Sequence, residues 1–120
     1  MMLFNPSWNK KPTGDWKSLD NLIAWLETKP EGEYYRYTNP TNCLLAQYLK
    51  AQGKRVSWID SIAATFRESF FAWNRRVPLP VGFDAIAQYE EYNGRTFGGA
   101  LKAAKQYRQS KLLENLLLAA

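Results

Sequence analysis

The cations of residues 95–111 are the side chains best suited to binding chemistry in this sequence. This stretch holds five Lys and Arg residues and no acid. Backbone amides at the start of a helix attract anions, and glycines leave such amides unshielded. The segment therefore suits a phosphate or a carboxylate. The candidate anion-binding residues are Arg95, Gly98, Gly99, Lys102 and Lys105.

The same stretch also fits an ordinary amphipathic helix. At about 100° per residue, Lys102 and Lys105 fall opposite an apolar stripe, as expected for a solvated face. Two glycines in a first turn cost helix stability, so close packing of another helix is the alternative reason for Gly98 and Gly99. We favour packing, because the spacing matches neither the phosphate-binding loop nor the dinucleotide fingerprint. The apolar stripe consists of Phe97, Ala100, Leu101, Ala104 and Tyr107.

Further cations occur as adjacent pairs at residues 10–11, 54–55 and 75–76. Arg75 and Arg76 follow Trp73, and guanidinium groups beside an aromatic ring suit stacking on nucleic-acid bases or filling a protein pocket. The alternative is a solvated helix end, where cations offset the helix dipole. Trp73, Arg75 and Arg76 therefore join the list of binding candidates.

The composition argues against catalysis. The chain has no histidine and a single cysteine, Cys43, so the His-dependent nucleophile pairs and a structural zinc site are not expected. Cys43 adjoins two leucines, which favours burial over reactivity. The acidic pairs at residues 31 and 33 and at 90 and 91 come with no pocket that the sequence reveals. We predict a protein that is not an enzyme and holds no metal or cofactor.

The overall composition indicates one globular domain, residues 1–120, with anionic partners. Hydrophobic residues make up 46% of the chain and aromatic residues 15%, and the net charge is +5 with a pI near 9.4. A basic surface favours nucleic acid or an acidic protein surface. One cysteine and the lack of an apolar signal or a membrane-length segment predict a cytoplasmic protein that does not enter a membrane.

The hydrophobic periodicity predicts a mainly α fold of about five to six helices. After an irregular arm over residues 1–17, Ser18 caps a first helix, and the aromatic residues 33–38 form at most a short extended element. Residues 39–53 form a second helix that ends at Gly53 in the left-handed conformation. Asp60 caps a third helix whose buried face would consist of Ile62, Phe66, Phe70 and Trp73.

The remaining elements follow from proline, capping residues and leucine spacing. Residues 75–82 read as a proline-bounded loop, Asp84 opens a fourth helix that ends near Gly94, and Thr96 caps a fifth. The apolar tail, residues 111–120, points away from the stripe that begins at Phe97. We therefore expect a helix break near Gln109 and a tail that either packs back or joins another subunit. The oligomerisation candidates are Leu112, Leu113, Leu116 and Leu117.

Two resemblances bear on function. The end of the chain, Glu114-Asn115 with Leu118-Ala119-Ala120, resembles the bacterial tag read by Clp-type proteases. The stretches "NCLLAQYLKAQG" (residues 42–53) and "RTFGGALKAA" (residues 95–104) resemble small accessory proteins of phages and prophages. That resemblance implies no active site, but it implies a bacterial host and a host target.

The resulting prediction is a non-enzymatic interaction protein. It would bind and block or redirect a host protein or nucleoprotein complex, such as a CRISPR-Cas or other defence nuclease. The alternative is direct nucleic-acid binding through the basic pairs and the aromatic residues.

Overall fold

A computed structural model describes residues 15–67, 74–90 and 94–119. Over these residues the chain forms four helices and one three-stranded antiparallel sheet with strand order β1-β2-β3. The elements are α1 (Leu19–Leu26), α2 (Leu44–Ala51), β1 (Val56–Ile59), β2 (Ala63–Arg67), β3 (Asn74–Pro78), α3 (Phe83–Gln88) and α4 (Phe97–Ala119). The prediction of a mainly α fold is therefore wrong, because the described residues form a mixed α/β fold.

The predicted third helix is replaced by the β1–β2 hairpin. Asp60 does accept hydrogen bonds from two following amides, those of Ile62 and Ala63, both at 2.9 Å. These bonds close the turn between two strands, since an Asp side chain satisfies amides equally well in a turn and at a helix start. In β2, Ala64 and Phe66 are two residues apart and both pack in the core, which is the spacing of a strand and not of a helix. Phe70 and Trp73 lie outside the described residues.

The predicted loop over residues 75–82 is also partly wrong, because it begins as strand β3. Arg75 and Arg76 pair with Phe66 and Thr65 of β2. Pro78 ends the strand, and β3 lies at the edge of the sheet, where a residue without an amide hydrogen is tolerated. The two arginines consequently lie on a strand and not at a helix end.

The first two helices are confirmed, with one shifted boundary. The Ser18 hydroxyl accepts from the Asn21 amide at 3.3 Å and caps α1, as predicted. Helix α2 begins at Leu44 and not near Asn39, whose side chain instead accepts from the amides of Thr41 and Asn42 in a turn. Gly53 ends α2 with φ of 80°, in the predicted left-handed conformation.

Helix α4 is longer than predicted and is not divided in two. Thr96 caps it by accepting from the Gly99 amide at 3.1 Å, as expected. The helix then continues to Ala119 without the predicted break near Gln109. No Gly or Pro occurs after Gly99, and leucine favours helix, so nothing in the sequence interrupts it. Five leucines stay exposed in the last turns of α4, namely Leu112, Leu113, Leu116, Leu117 and Leu118.

The core lies between the helices and one face of the sheet. Helix α1 packs against α4, α2 against β1, and α3 against α4. The buried Tyr48 hydroxyl donates to the Trp16 carbonyl at 2.8 Å, which fixes the chain entering α1 against α2. Of the predicted N-terminal arm, residues 1–14 lie outside the described residues, and Trp16 is buried.

Two smaller predictions complete the fold. The extended element at residues 33–38 is present as one antiparallel bridge between Tyr34 and Thr96. Cys43 is buried, as expected, and burial raises the pKa of its thiol. Within the described residues, no helix combines the length and the hydropathy that crossing a bilayer requires.

Candidate functional site

A basic cleft lies where α2 leads into the sheet. We define the basic cleft by the side chains of Lys54, Arg55, Arg67 and Arg75, which surround a space of about 260 Å³. Trp16, Phe66 and Gly53 complete its lining. No acid lines the cleft among the described residues. The arrangement combines concentrated positive charge with aromatic surface.

The end of α2 positions the first two cations. Gly53 donates its amide to the Lys50 carbonyl and Lys54 donates to the Leu49 carbonyl, both at 3.0 Å. This pair of bonds is the Schellman arrangement, which needs a left-handed residue at Gly53. It turns the chain directly toward β1, so that Lys54 and Arg55 lie immediately before the first strand.

Strand pairing brings a third cation beside them. Val56 pairs with Phe66, and the Arg67 amide donates to the Arg55 carbonyl at 2.8 Å. Arg55 and Arg67 are thus direct neighbours across two antiparallel strands. Like charges at such positions destabilise a hairpin. None of the ion pairs found within the described residues joins Lys54, Arg55 or Arg67 to an acid.

The aromatic side of the cleft is formed by two core residues, Trp16 and Phe66. The rings of Trp16 and Phe66 meet edge to face with centroids 5.4 Å apart, and both residues are buried. The Trp16 carbonyl accepts the Tyr48 hydroxyl, as described above. The edge-to-face contact and the hydrogen bond hold Trp16 and Phe66 at the base of the cleft.

The predicted candidates around Arg75 separate from one another. Arg75 lines the basic cleft. Arg76 lies on the opposite side of β3 and donates to the Asp60 carboxylate at 3.0 Å. Hydrogen bonds from the Ile62 amide and from Arg76 lower the pKa of Asp60. Trp73, the third candidate of this group, lies outside the described residues.

Arg95 is held by several groups of its own surroundings. Its Nε donates to the Gln88 carbonyl at 2.9 Å, and its guanidinium lies 5.1 Å from the centre of the Tyr37 ring. A carboxylate oxygen of Glu90 lies 3.5 Å from it. Arg95 therefore ties the start of α4 to the end of α3.

The amides of Gly98 and Gly99 already have partners. Gly98 donates to the Glu31 carbonyl at 3.0 Å, and Gly99 donates to the Thr96 hydroxyl. A Cβ atom at Gly98 would lie 2.8 Å from that Glu31 oxygen. Gly98 thus allows close packing, as predicted. Its neighbour is the loop after α1, however, and not another helix. An anion at this helix start would have to displace these bonds.

The two α4 lysines lie apart from the basic cleft. Lys102 and Lys105 line a shallow groove with Glu31 and Leu101, and Lys105 lies 4.0 Å from the Glu27 carboxylate. Farther along the same helix, Arg108 lies 3.3 Å from Asp20. Acids of α1 and of the segment that follows it thus accompany this face of α4. The predicted binding residues do not form one patch.

The sequence-based candidates do not include two residues of the basic cleft, Arg67 and Trp16, or the exposed aromatic residue Trp58 outside it. Arg67 falls within the predicted third helix, and the sequence predicts for Trp16 only a role in anchoring the N-terminal arm. Trp58 was not considered, although 52% of it is exposed on β1. The β-branched and aromatic residues of "VSWI" were the available signal for that strand.

Other groups of chemical interest serve packing. The Tyr35 hydroxyl donates to the Ala87 carbonyl at 2.8 Å, and burial raises the pKa of Tyr35. Tyr37 donates to Asp84 at 2.6 Å, and burial together with this bond raises its pKa. Among the described residues, no three His, Cys, Asp or Glu side chains are grouped to hold a metal ion.

The chain was compared with protein family models, curated proteins and solved structures. No protein family model, no curated protein and no solved structure matches the chain.

Proposed function

We propose that this protein is a non-enzymatic nucleic-acid-binding protein that contacts phosphates through the basic cleft. The carrying observation is the juxtaposition of Arg55 and Arg67 across β1 and β2, with Lys54 and Arg75 beside them. Two facing arginines cost stability in the free protein. A phosphate between them would turn that repulsion into attraction, which is the usual reason for such an arrangement in a binding site.

The choice of a polyanion rests on charge and size. Four cations around about 260 Å³ exceed what one carboxylate needs, and a net charge of +5 attracts a polyanion from a distance. Arg forms bidentate contacts with phosphate, and three of the four cations are Arg. The aromatic floor is buried and so contributes shape to the site.

Fluorescence anisotropy with labelled 12-nucleotide DNA tests the proposal. Affinity should fall steeply with salt, because each phosphate contact contributes about 0.7 to 0.9 to the slope of log K against log salt. Replacing Arg55 and Arg67 by Gln should lower that slope by about 1.5 and weaken binding on the order of 10-fold or more at low salt. Lys105→Gln with Arg108→Gln removes the same charge from α4 and is the matched control.

Two results would contradict the proposal. One is the absence of binding to single-stranded and duplex DNA or RNA at low ionic strength. The other is an equal loss of affinity in the α4 control, which would assign binding to net charge and not to the basic cleft.

A second candidate function is supported by the exposed leucines of α4. Leu112, Leu113, Leu116 and Leu117 are each more than half exposed on one side of the helix, and such a surface suits a protein partner or a second copy. The likeness to phage accessory proteins makes a host defence complex the predicted partner. A lysate pull-down treated with nuclease tests this candidate: a stoichiometric partner that is lost in Leu113→Glu supports it, and no partner contradicts it.

A further inference from the structure

The outer face of the sheet carries an aromatic side chain that the core does not use. Strand pairing aligns Trp58 with Thr65 and Thr65 with Arg76, so these three residues form a row across β1, β2 and β3. The opposite face packs in the core through Ala64 and Phe66. We call the row of Trp58, Thr65 and Arg76 the open sheet face.

A bulge in β1 creates this arrangement. Val56 pairs with Phe66 and Trp58 pairs with Thr65, which is adjacent to Phe66. Ser57 is therefore an extra residue in β1. Such a bulge re-aims the neighbouring side chain. The Ser57 hydroxyl lies 3.4 Å from the Asn74 side chain on β3, while Trp58 stays 52% exposed. The strand thus presents a large ring to solvent next to polar groups.

The charged side chains beside the open sheet face are Arg67, and Arg76 with its ion-pair partner Asp60. Arg76 is 57% exposed and is held by Asp60 beside the row. Arg67 pairs with Asn74 at the end of the same sheet and also lines the basic cleft. The open sheet face and the basic cleft are therefore adjacent along β2, where Thr65 and Arg67 are two residues apart and lie on the same side of the strand.

We infer that the ligand of this surface is a single-stranded nucleic acid, with an unpaired base stacked on Trp58 and its phosphates on Arg67 and the other cations of the basic cleft. This inference rests on the proposed nucleic-acid binding and adds the strandedness of the ligand. An aromatic ring beside cations on a sheet stacks bases of any sequence, because every base has a π face. A duplex hides those faces and so gains nothing from Trp58.

The closing experiment measures anisotropy of labelled 12-nucleotide oligothymidylate, 12-nucleotide oligouridylate and a 12-base-pair DNA duplex. Trp58→Ala should weaken both single-stranded probes on the order of 10-fold and leave duplex affinity unchanged. Trp58→Phe keeps a ring and should retain most of the affinity. Ile62→Ala, at a site 65% exposed in the β1–β2 turn, is the control and should bind as the wild type does.

Tryptophan fluorescence gives a second readout that does not depend on the alanine variant folding. Saturating oligothymidylate should quench the wild-type emission more than that of Trp58→Phe. Equal quenching would overturn the stacking inference. So would unchanged affinity of Trp58→Ala for both single-stranded probes. If Arg55→Gln with Arg67→Gln still weakens binding of these probes, the proposed function stands. No binding of any probe by the wild type overturns both.

Discussion

The basic cleft and the outward face of α4 carry similar cations in different electrostatic surroundings. Along α4, Lys105 and Arg108 lie beside acids that belong to α1 and its C-terminal cap, namely Glu27 and Asp20. In the basic cleft, Arg55 faces Arg67, and no acid among the described residues pairs with either. The first arrangement joins α4 to α1 through ion pairs, whereas the second leaves two like charges beside each other.

The difference shows that a run of cations in sequence does not identify a binding surface. The run at residues 95–111 is conspicuous because its own segment lacks acids, yet its partners arrive from elsewhere in the chain. The cleft cations are scattered in sequence, at residues 54, 55, 67 and 75, and meet through a helix end and two strand pairings. Local charge density is a property of the sequence, but neutralisation is a property of the fold.

The largest expected effect concerns the contact between the start of α4 and Glu31. Gly98→Ala should lower the free energy of unfolding by about 1 to 3 kcal/mol, because the new Cβ would lie 2.8 Å from the Glu31 carbonyl oxygen. Gly32→Ala is the matched control, since a Cβ there meets nothing within 4 Å. Urea unfolding measures both. Equal stability of the two variants would show that α4 does not depend on this contact, and the pairing of its cations would lose its structural basis.

The next effect tests whether neutralisation silences the α4 cations. Asp20→Asn with Glu27→Gln leaves Arg108 and Lys105 without these acids, and we expect 3- to 10-fold tighter oligonucleotide binding at low salt, on the order of one added phosphate contact. Because the two regions are separate, the gain should persist when Arg55→Gln and Arg67→Gln are also present. Anisotropy at 20 to 200 mM salt checks this. Unchanged affinity would mean that the acids do not decide which surface binds.

A smaller effect distinguishes the two regions by sign. Arg67→Gln removes a repulsion and should stabilise the free protein by about 0.2 to 1 kcal/mol. Arg108→Gln removes an exposed ion pair and should destabilise it by about 0.2 to 1 kcal/mol. Both effects should shrink in 1 M salt, which screens exposed charges. Chemical denaturation with urea at two salt concentrations measures them, and two shifts of the same sign would contradict the comparison.

The smallest effect is a pH dependence at Asp60, the acid beside Arg76. The folded state lowers its pKa, so the stabilisation is present above the unfolded pKa, near pH 4, and is lost as the pH falls through the folded value. Asp60→Asn should therefore flatten the acid limb of the melting temperature. Arg76→Gln should flatten it less, because the Ile62 amide is the larger cause of the shift. A wild-type acid limb in Asp60→Asn would exclude this origin.

The helices were predictable where capping and periodicity agree. Ser18, Gly53 and Thr96 were assigned their roles from sequence, and the buried stripes of α1, α2 and the first half of α4 follow the 3.6-residue period. The sheet was missed because Asp60 satisfies two amides in the same way at a turn and at a helix start. Short apolar runs of this kind fit both periods, and only pairing with a neighbouring strand separates them.

Of the candidate site, Arg75 was named from the sequence, and its partners in the basic cleft were not assembled. Trp58 was missed because its exposure depends on one extra residue in β1, which no single-strand pattern reveals. The sequence predicts close packing of another helix at Gly98, whereas the neighbour there is Glu31 in the segment after α1, which spacing could not reveal. Each of these facts depends on which distant segment lies alongside.

The sequence by itself determined the absence of imidazole chemistry, the positive net charge, and the caps and apolar stripes of the helices, because these depend on residue identity and on neighbours within one or two turns. Tertiary structure alone decided which cations meet acids, which meet one another, and which aromatic ring stays in solvent. Coulomb and packing energies depend on distances of a few ångströms between residues far apart in the chain, and those distances exist only once the strands and helices have paired.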